Sequence, residues 1–297
     1  MGTGDWRPAT ILLLMLFASA VLPALLVISF AAPSTSWALP PAQRRLLSEA
    51  ADLMQTAELL SGFAQPDSFG SQDDLKKAEV AARAALGIRT SVLGTGKYRT
   101  AWSMRVLGDI MSRLHKPQEG LDLLQGALPV IKAEAGEDTE SMAYCERDIS
   151  LALIALGRQD EASAHLESCL KRLRNMFGPD SLGESSVLLD YGRALADEGL
   201  RSSAETPLTS AVQIMRQKRS KDHLELGFSL ACLGKALGDM GVPRKARPYL
   251  EGALNIFEKR TGGSSTEVGE ILFFIARAYR DEGRTADATR CFAHLQQ

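Results

Sequence analysis

The chain has 297 residues, enough for one large domain or two ordinary ones, and its 45 % hydrophobic and 24 % charged content excludes a disordered polypeptide. A net charge of −2 excludes a bulk electrostatic pull toward nucleic acid; binding a phosphate backbone would need a local basic face. Aromatic residues make up only 6 %, and the abundance of Ala and Leu favours closely packed helices over sheets.

Residues 11–32, "ILLLMLFASAVLPALLVISFAA", run without a charge. As a helix this stretch would span about 33 Å, enough to cross a hydrocarbon core of about 30 Å. Ile11, Leu12, Leu13, Leu14, Leu16, Phe17, Leu22, Leu25, Leu26, Val27, Ile28 and Phe30 are its anchoring side chains, and Pro23 would bend it without forbidding it. The competing reading is a cleaved signal peptide, since Ala18-Ser19-Ala20 and Ser36-Trp37-Ala38 have the small-x-small form. Against it, the run exceeds the usual apolar region of about 7–15 residues, and Arg7 is offset by Asp5. The expectation is a single-pass membrane anchor contacting lipid, with export after cleavage as the alternative. Arg44 and Arg45 follow the run while Arg7 precedes it, which places the body on the cytoplasmic-equivalent side. Residues 33–42 read as a Pro/Ser-rich linker and 43–98 as an irregular helix pair, Ala42–Phe63 with Asp74–Ser91, that caps the array. Its connection, "AQPDSFGSQ" (64–72), is long and holds Pro66 where other units have a helical glycine.

From residue 99 to 297 a 42-residue period governs the sequence, and five units fit. Gly157, Gly199, Gly241 and Gly283 lie 42 apart, with His115 in the same phase one period earlier. Five residues after each comes a small residue: Gly120, Ala162, Ala204, Ala246 and Ala288. Leu107, Ile149, Tyr191, Leu233 and Ile275 stand before the turns, and Leu124, Leu166, Leu208 and Leu250 behind them, at helical spacing. Each unit thus reads as helix, tight turn, helix. The glycine supplies a left-handed turn, and the small residue lets two helices approach closely.

The spacing in Gly192, Leu195, Ala204, Leu208 and Ala211, and again in Ala276, Tyr279, Ala288 and Phe292, resembles the tetratricopeptide repeat. The period, with "FGPD" (177–180) between units and echoes in "AGED" (135–138) and "TGGS" (261–264), resembles the longer-helix variety of kinesin light chains. The resemblance covers about residues 74–297. It implies an all-α protein, a right-handed solenoid of about six helix pairs, preceded here by the hydrophobic N-terminal helix.

Chemistry-bearing patterns are poor. His115, His165, His223 and His294 have no neighbour at metal-ligand spacing. Cys145, Cys169, Cys232 and Cys291 form no C-x-x-C pair, and Cys169 and Cys291 read as buried free thiols. "GTGK" (94–97) lacks the flanking residues of a phosphate loop, and "GESSV" (183–187) lacks the second glycine of a nucleophile elbow. The expectation is therefore no enzyme, no cofactor, no metal and no nucleic acid.

The resemblance places the first helix of each unit on a concave face. One row there is Arg105, Arg147, Leu189, Ala231 and Phe273; the next is Asp109, Leu151, Arg193, Lys235 and Arg277; Trp102, Tyr144 and Phe228 lie a turn earlier. Cations among aromatics suit an extended acidic or C-terminal peptide, against the bland reading of solvated charges on a helix surface. The paired asparagines of kinesin light chains are replaced by Leu189-Asp190, Ala231-Cys232 and Phe273-Phe274, and the face carries no carboxylate-clamp Asn. Kinesin-type cargo binding and chaperone docking are thus not implied. The expected function is a membrane-tethered scaffold for protein partners, an accessory or assembly subunit of a membrane complex; the alternative is an exported soluble adaptor.

Overall fold

The computed structural model describes residues 39–61, 71–261 and 265–294. The anchor at 11–32 and the connection with Pro66 lie outside them. Among the described residues no helix is long and apolar enough to cross a membrane. The chain divides into two units, Met1–Glu49 and Ala50–Gln297. In the first, residues 41–49 are helical; the second carries the repeats.

The described residues form twelve α-helices, in six successive pairs. These are α1 (Pro41–Ser61) with α2 (Gln72–Leu93), α3 (Tyr98–Arg113) with α4 (Pro117–Ala135), and α5 (Glu140–Ala155) with α6 (Gln159–Phe177). They continue as α7 (Leu182–Asp197) with α8 (Arg201–Lys218), α9 (Leu224–Asp239) with α10 (Pro243–Thr261), and α11 (Thr266–Asp281) with α12 (Thr285–His294). Helix α1 begins inside the stretch expected to be linker, because a proline at the first helical position loses no hydrogen bond.

The period acts through start and stop signals. Thr139, Ser181, His223 and Ser265, 42 apart, cap the first helices of their units by accepting the backbone N–H of Met142, Glu184, Glu225 and Val268. At the turn within each unit Gly157, Gly199, Gly241 and Gly283 have φ of 73–79°. The backbone N–H of Arg158, Leu200, Val242 and Arg284 then returns to the carbonyl of Leu153, Leu195, Leu237 and Tyr279, closing a Schellman motif. His115 holds the same left-handed conformation, at φ 59°, without being glycine.

Ala162, Ala204 and Ala246 are wholly buried between the helices of their units. Closeness is greatest at Gly120, where an added Cβ would lie 2.4 Å from Ser112 Oγ and 2.6 Å from the Gly108 carbonyl oxygen. Leu124, Leu166, Leu208 and Leu250 fill the same place in successive units and join one core running from Ala101 to Ile275. A second cluster joins Met54, Ala82 and Ala85 to Val106 and Ile110, seating α1 and α2 on α3.

From α3 onward the backbones of successive first helices approach closely. Second helices meet through side chains, as Gln159 of α6 meets Ser203 of α8 at 3.2 Å and Arg83 of α2 meets Glu119 of α4 at 3.5 Å. The first helices therefore form the tighter, inner layer, and their outward residues line the inner face.

Candidate functional site

The inner face is organised by ion pairs that step from one unit to the next. Arg105 on α3 donates Nε–H to Asp148 Oδ2 on α5 at 2.7 Å; the other oxygen of Asp148 accepts from Arg147 Nε at 2.9 Å and Nη2 at 2.7 Å. Arg147 reaches on to Asp190 on α7 at 3.3 Å, and Arg193 stands 3.8 Å from the same carboxylate. The chain Arg105–Asp148–Arg147–Asp190–Arg193 thus crosses three units. Arg105 is only 2 % exposed and Asp148 1 %. The guanidinium of Arg105 lies 4.9 Å from the centre of the Trp102 ring and 5.7 Å from that of Tyr144, and Arg147 lies 5.1 Å from Tyr144, so aromatic faces replace water around both cations.

Electrostatics follow burial. Asp109, beside this network, has its carboxyl pushed above the ordinary carboxylate value by loss of water, against the pull of Arg113 at 3.5 Å. Burial works against the charge of Arg147, yet Asp148, Asp190 and Asp109 together hold its guanidinium more firmly protonated than usual. Cys145 and Cys169 sit beneath the face with thiols pushed by burial up to about 12, so they pack as small apolar groups and not as nucleophiles. Cys169 is buried as expected, whereas Cys291 is half-buried.

Beyond α7 the pairs are thinner. Lys235 lies 3.4 Å from Asp197 and 5.9 Å from the centre of the Phe274 ring; Arg277 lies 2.6 Å from Asp239. Phe273 is half exposed and stacks edge-on against Phe274 at 5.5 Å, so of the two adjacent rings one meets solvent.

The candidate residues therefore separate into three kinds. Arg105 is a buried structural cation, and Trp102 is half-buried with its indole N–H given to Glu58 Oε1 at 2.7 Å. Phe228 turns inward, edge-on to the core ring of Phe257 at 4.9 Å. Tyr144 serves as a platform for two arginines. Arg147 and Arg193 do line a groove between α3, α5 and α7, of about 430 Å³, together with Asp109, Arg113, Asp148, Leu151, Asp190, Asp197 and Glu198. Lys235, Phe273 and Arg277 lie farther along the inner face and outside that groove. No group of three metal-ligating side chains exists among the described residues.

The charges of the groove bear on which partner it would take. Each of its cations already faces a carboxylate, and the lining carries Asp109, Asp148, Asp190, Asp197 and Glu198 against Arg113, Arg147 and Arg193. An incoming acidic peptide would have to displace a carboxylate already in place. The partners Asp148 and Asp190 went unread in the sequence, although the spacing Arg105/Asp148 recurs as Arg147/Asp190.

Comparison with known proteins agrees with the fold. Residues 107–175 match the family model of the tetratricopeptide repeat. No curated protein matches the chain. Among solved structures, a putative kinesin light chain with nearly identical tetratricopeptide-like repeats from Podosopora anserina is 19 % identical over 66 % of this chain and 92 % of its own, with a TM-score of 0.56. BtubC from P. vanneervenii is 18 % identical, covering 75 % of this chain and 94 % of its own at a TM-score of 0.51. Aspartyl phosphate phosphatase F from Bacillus subtilis is 13 % identical, covering 84 % and 60 % at 0.53. Residues 107–175 thus carry the tetratricopeptide repeat, and the described residues share the fold of tetratricopeptide-like solenoids. The likeness to the kinesin-light-chain-type repeat structures, at under 20 % identity, is one of fold.

Proposed function

We propose that this protein is a non-enzymatic scaffold, tethered to a membrane through residues 11–32, that holds a segment of a protein partner as an accessory or assembly subunit of a membrane complex. The observation that carries the reading is the inner-face groove of about 430 Å³, lined by five carboxylates and three arginines. Its pairs are preorganised, and its excess of carboxylates favours a partner segment that brings cations to Asp190, Asp197 and Glu198. Phe273, farther along the same face, offers an apolar contact beside Arg277 and Lys235. The tether rests on the uncharged length of 11–32.

Cross-linking mass spectrometry on the full chain in native membranes tests the scaffold. Cross-links from Lys235 and Glu198 to one stoichiometric partner, lost in Asp197→Lys/Glu198→Lys, are expected; recovery of no stoichiometric partner, or cross-links only away from the inner face, refutes it. N-terminal sequencing tests the tether separately. An intact N-terminus in an alkali-resistant membrane fraction upholds it, and a start at Val21 or Leu39 in a soluble fraction replaces it with the exported adaptor.

A further inference from the structure

The repeat breaks its own pattern at one edge. Between units, Gly94, Gly136 and Gly178 recur at 42-residue steps with φ of 78–99°. At the next step Ser220 stands instead, and α8 ends at Lys218, followed by Arg219 in extended backbone. The substituted loop, "RQKRSKDH" (216–223), is also the cationic one. Formal charges of the equivalent eight-residue windows starting at 132, 174, 216 and 258 are −2, 0, +3 and +1. A departure from an otherwise consistent repeat marks a place where something besides folding selects the residues.

The side chains there face outward. Arg216, Lys218, Lys221 and Arg260 are all exposed. Lys218, Lys221 and Arg260 have no carboxylate partner among the described residues, while Arg216 rests over the Tyr249 ring at 5.9 Å. The loops of neighbouring units are adjacent, since Lys259 at the end of α10 pairs with Asp222 at 3.2 Å. At the same edge one unit earlier, Phe177 ends α6 with 55 % of its surface exposed, in the phase that Arg219 occupies next. It precedes Gly178, and nothing in the repeat requires a bare aromatic ring at that point.

We propose that this edge, formed by the ends of α6, α8 and α10, docks on an anionic membrane surface, with Lys218, Lys221 and Arg260 over the headgroups and Phe177 entering the interface. The chemistry commits to lipid over an acidic protein or nucleic acid because cations without aromatic ladders share an edge, by repeat phase, with one exposed ring. That combination fits a charged plane with an apolar layer beneath it. The inference does not rest on the tether at 11–32. It supplies a second contact of a different physical kind, electrostatic and salt-sensitive.

The test compares the full chain with Lys218→Glu/Lys221→Glu/Arg260→Glu on vesicles of phosphatidylcholine alone and with about one third phosphatidylserine. Partition into neutral vesicles reads the apolar tether; the anionic-over-neutral ratio reads the edge. The ratio should be about tenfold or more in the native chain at low salt, collapse at high salt, and approach one in the triple variant. Because all three positions are exposed, an unchanged circular dichroism spectrum and Tm confirm that the variant folds. A native ratio near one, or a ratio the variant leaves intact, overturns the proposal. So does equal capture of polyglutamate or duplex RNA by the same three cations. In Phe177→Trp, a blue shift of emission on anionic vesicles is expected, and an unshifted spectrum on bound protein refutes the entry of this ring.

Discussion

Between α3 and α7, Arg105 and Arg147 lie under the surface, walled by Trp102 and Tyr144, and each reaches a carboxylate on the next unit. Between α7 and α11 the same kind of pair recurs with different spacing. Asp197 meets Lys235 and Asp239 meets Arg277, with the lysine 44 % and the arginine 34 % exposed. Both regions tie neighbouring units together, yet the physics differs. In the first region water has been replaced by rings and counter-charges, so every member depends on the others. In the second, water competes for each partner and the side chains can be lent to a ligand. The difference explains why a row of cations read as one groove in sequence divides in space into a fastener and a contact surface.

The sharpest way to break the comparison is Arg105→Ala. It leaves Asp148, 1 % exposed, with one guanidinium where it had two, and stability should fall by about 3–5 kcal/mol. Chemical denaturation measures this, and hydrogen exchange should locate the loss at α3 and α5. A loss below about 1 kcal/mol would mean that the buried network is no fastener. Next in size is Gly120→Ala, whose added carbon meets both a hydroxyl and a backbone carbonyl inside normal contact distance. It should cost about 1–3 kcal/mol through overpacking, and an unchanged midpoint would show that α3 and α4 can separate cheaply.

How far the sequence reveals these things depends on whether a property is local to the period. Helix pairing, the turn at Gly199 and the burial of Ala204 all repeat in one phase, so self-comparison finds them. The fate of Arg105 is harder to read: its pairing with Asp148 does recur 42 residues on as Arg147 with Asp190, but its cage of rings comes from two helices and its burial from packing. Row-by-row reading shows where a side chain starts, and only packing shows what it meets. Phe228 makes the same point: its phase sets it on the inner side, but its ring finds Phe257 on α10 and joins the core.

Titration probes the buried region with a smaller effect. The folded-state value of Asp109 is raised above the ordinary 3.8, so the folded protein binds a proton there that the unfolded chain has released. Stability on this account falls as pH rises from about 3.8 through the raised value, and is level above it. Glu79 and Glu137, outside the buried network, have lowered values, so their contribution is lost only as pH falls below the ordinary 4.5. Mild acidification from neutrality should therefore raise Tm slightly, before the lowered carboxylates protonate. Asp109→Asn should abolish that rise; a rise retained in the variant would assign it elsewhere.

The least effect belongs to the outer pair. Arg277→Ala removes a contact of 2.6 Å to Asp239, which looks as good as the 2.7 Å contact of Arg105 to Asp148. Distance alone would rank them together. Exposure ranks them apart, because Arg277 is 34 % exposed against 3 % for Arg105, Asp239 keeps Arg201 at 3.9 Å, and side-chain entropy is regained. The cost should be about 0.2–1 kcal/mol, shrinking in high salt, with a double-mutant cycle against Asp239→Ala giving the coupling. A coupling as large as that between Arg105 and Asp148 would show that geometry, not burial, sets the strength of these bridges, and the two halves of the inner face would then have to be treated as one.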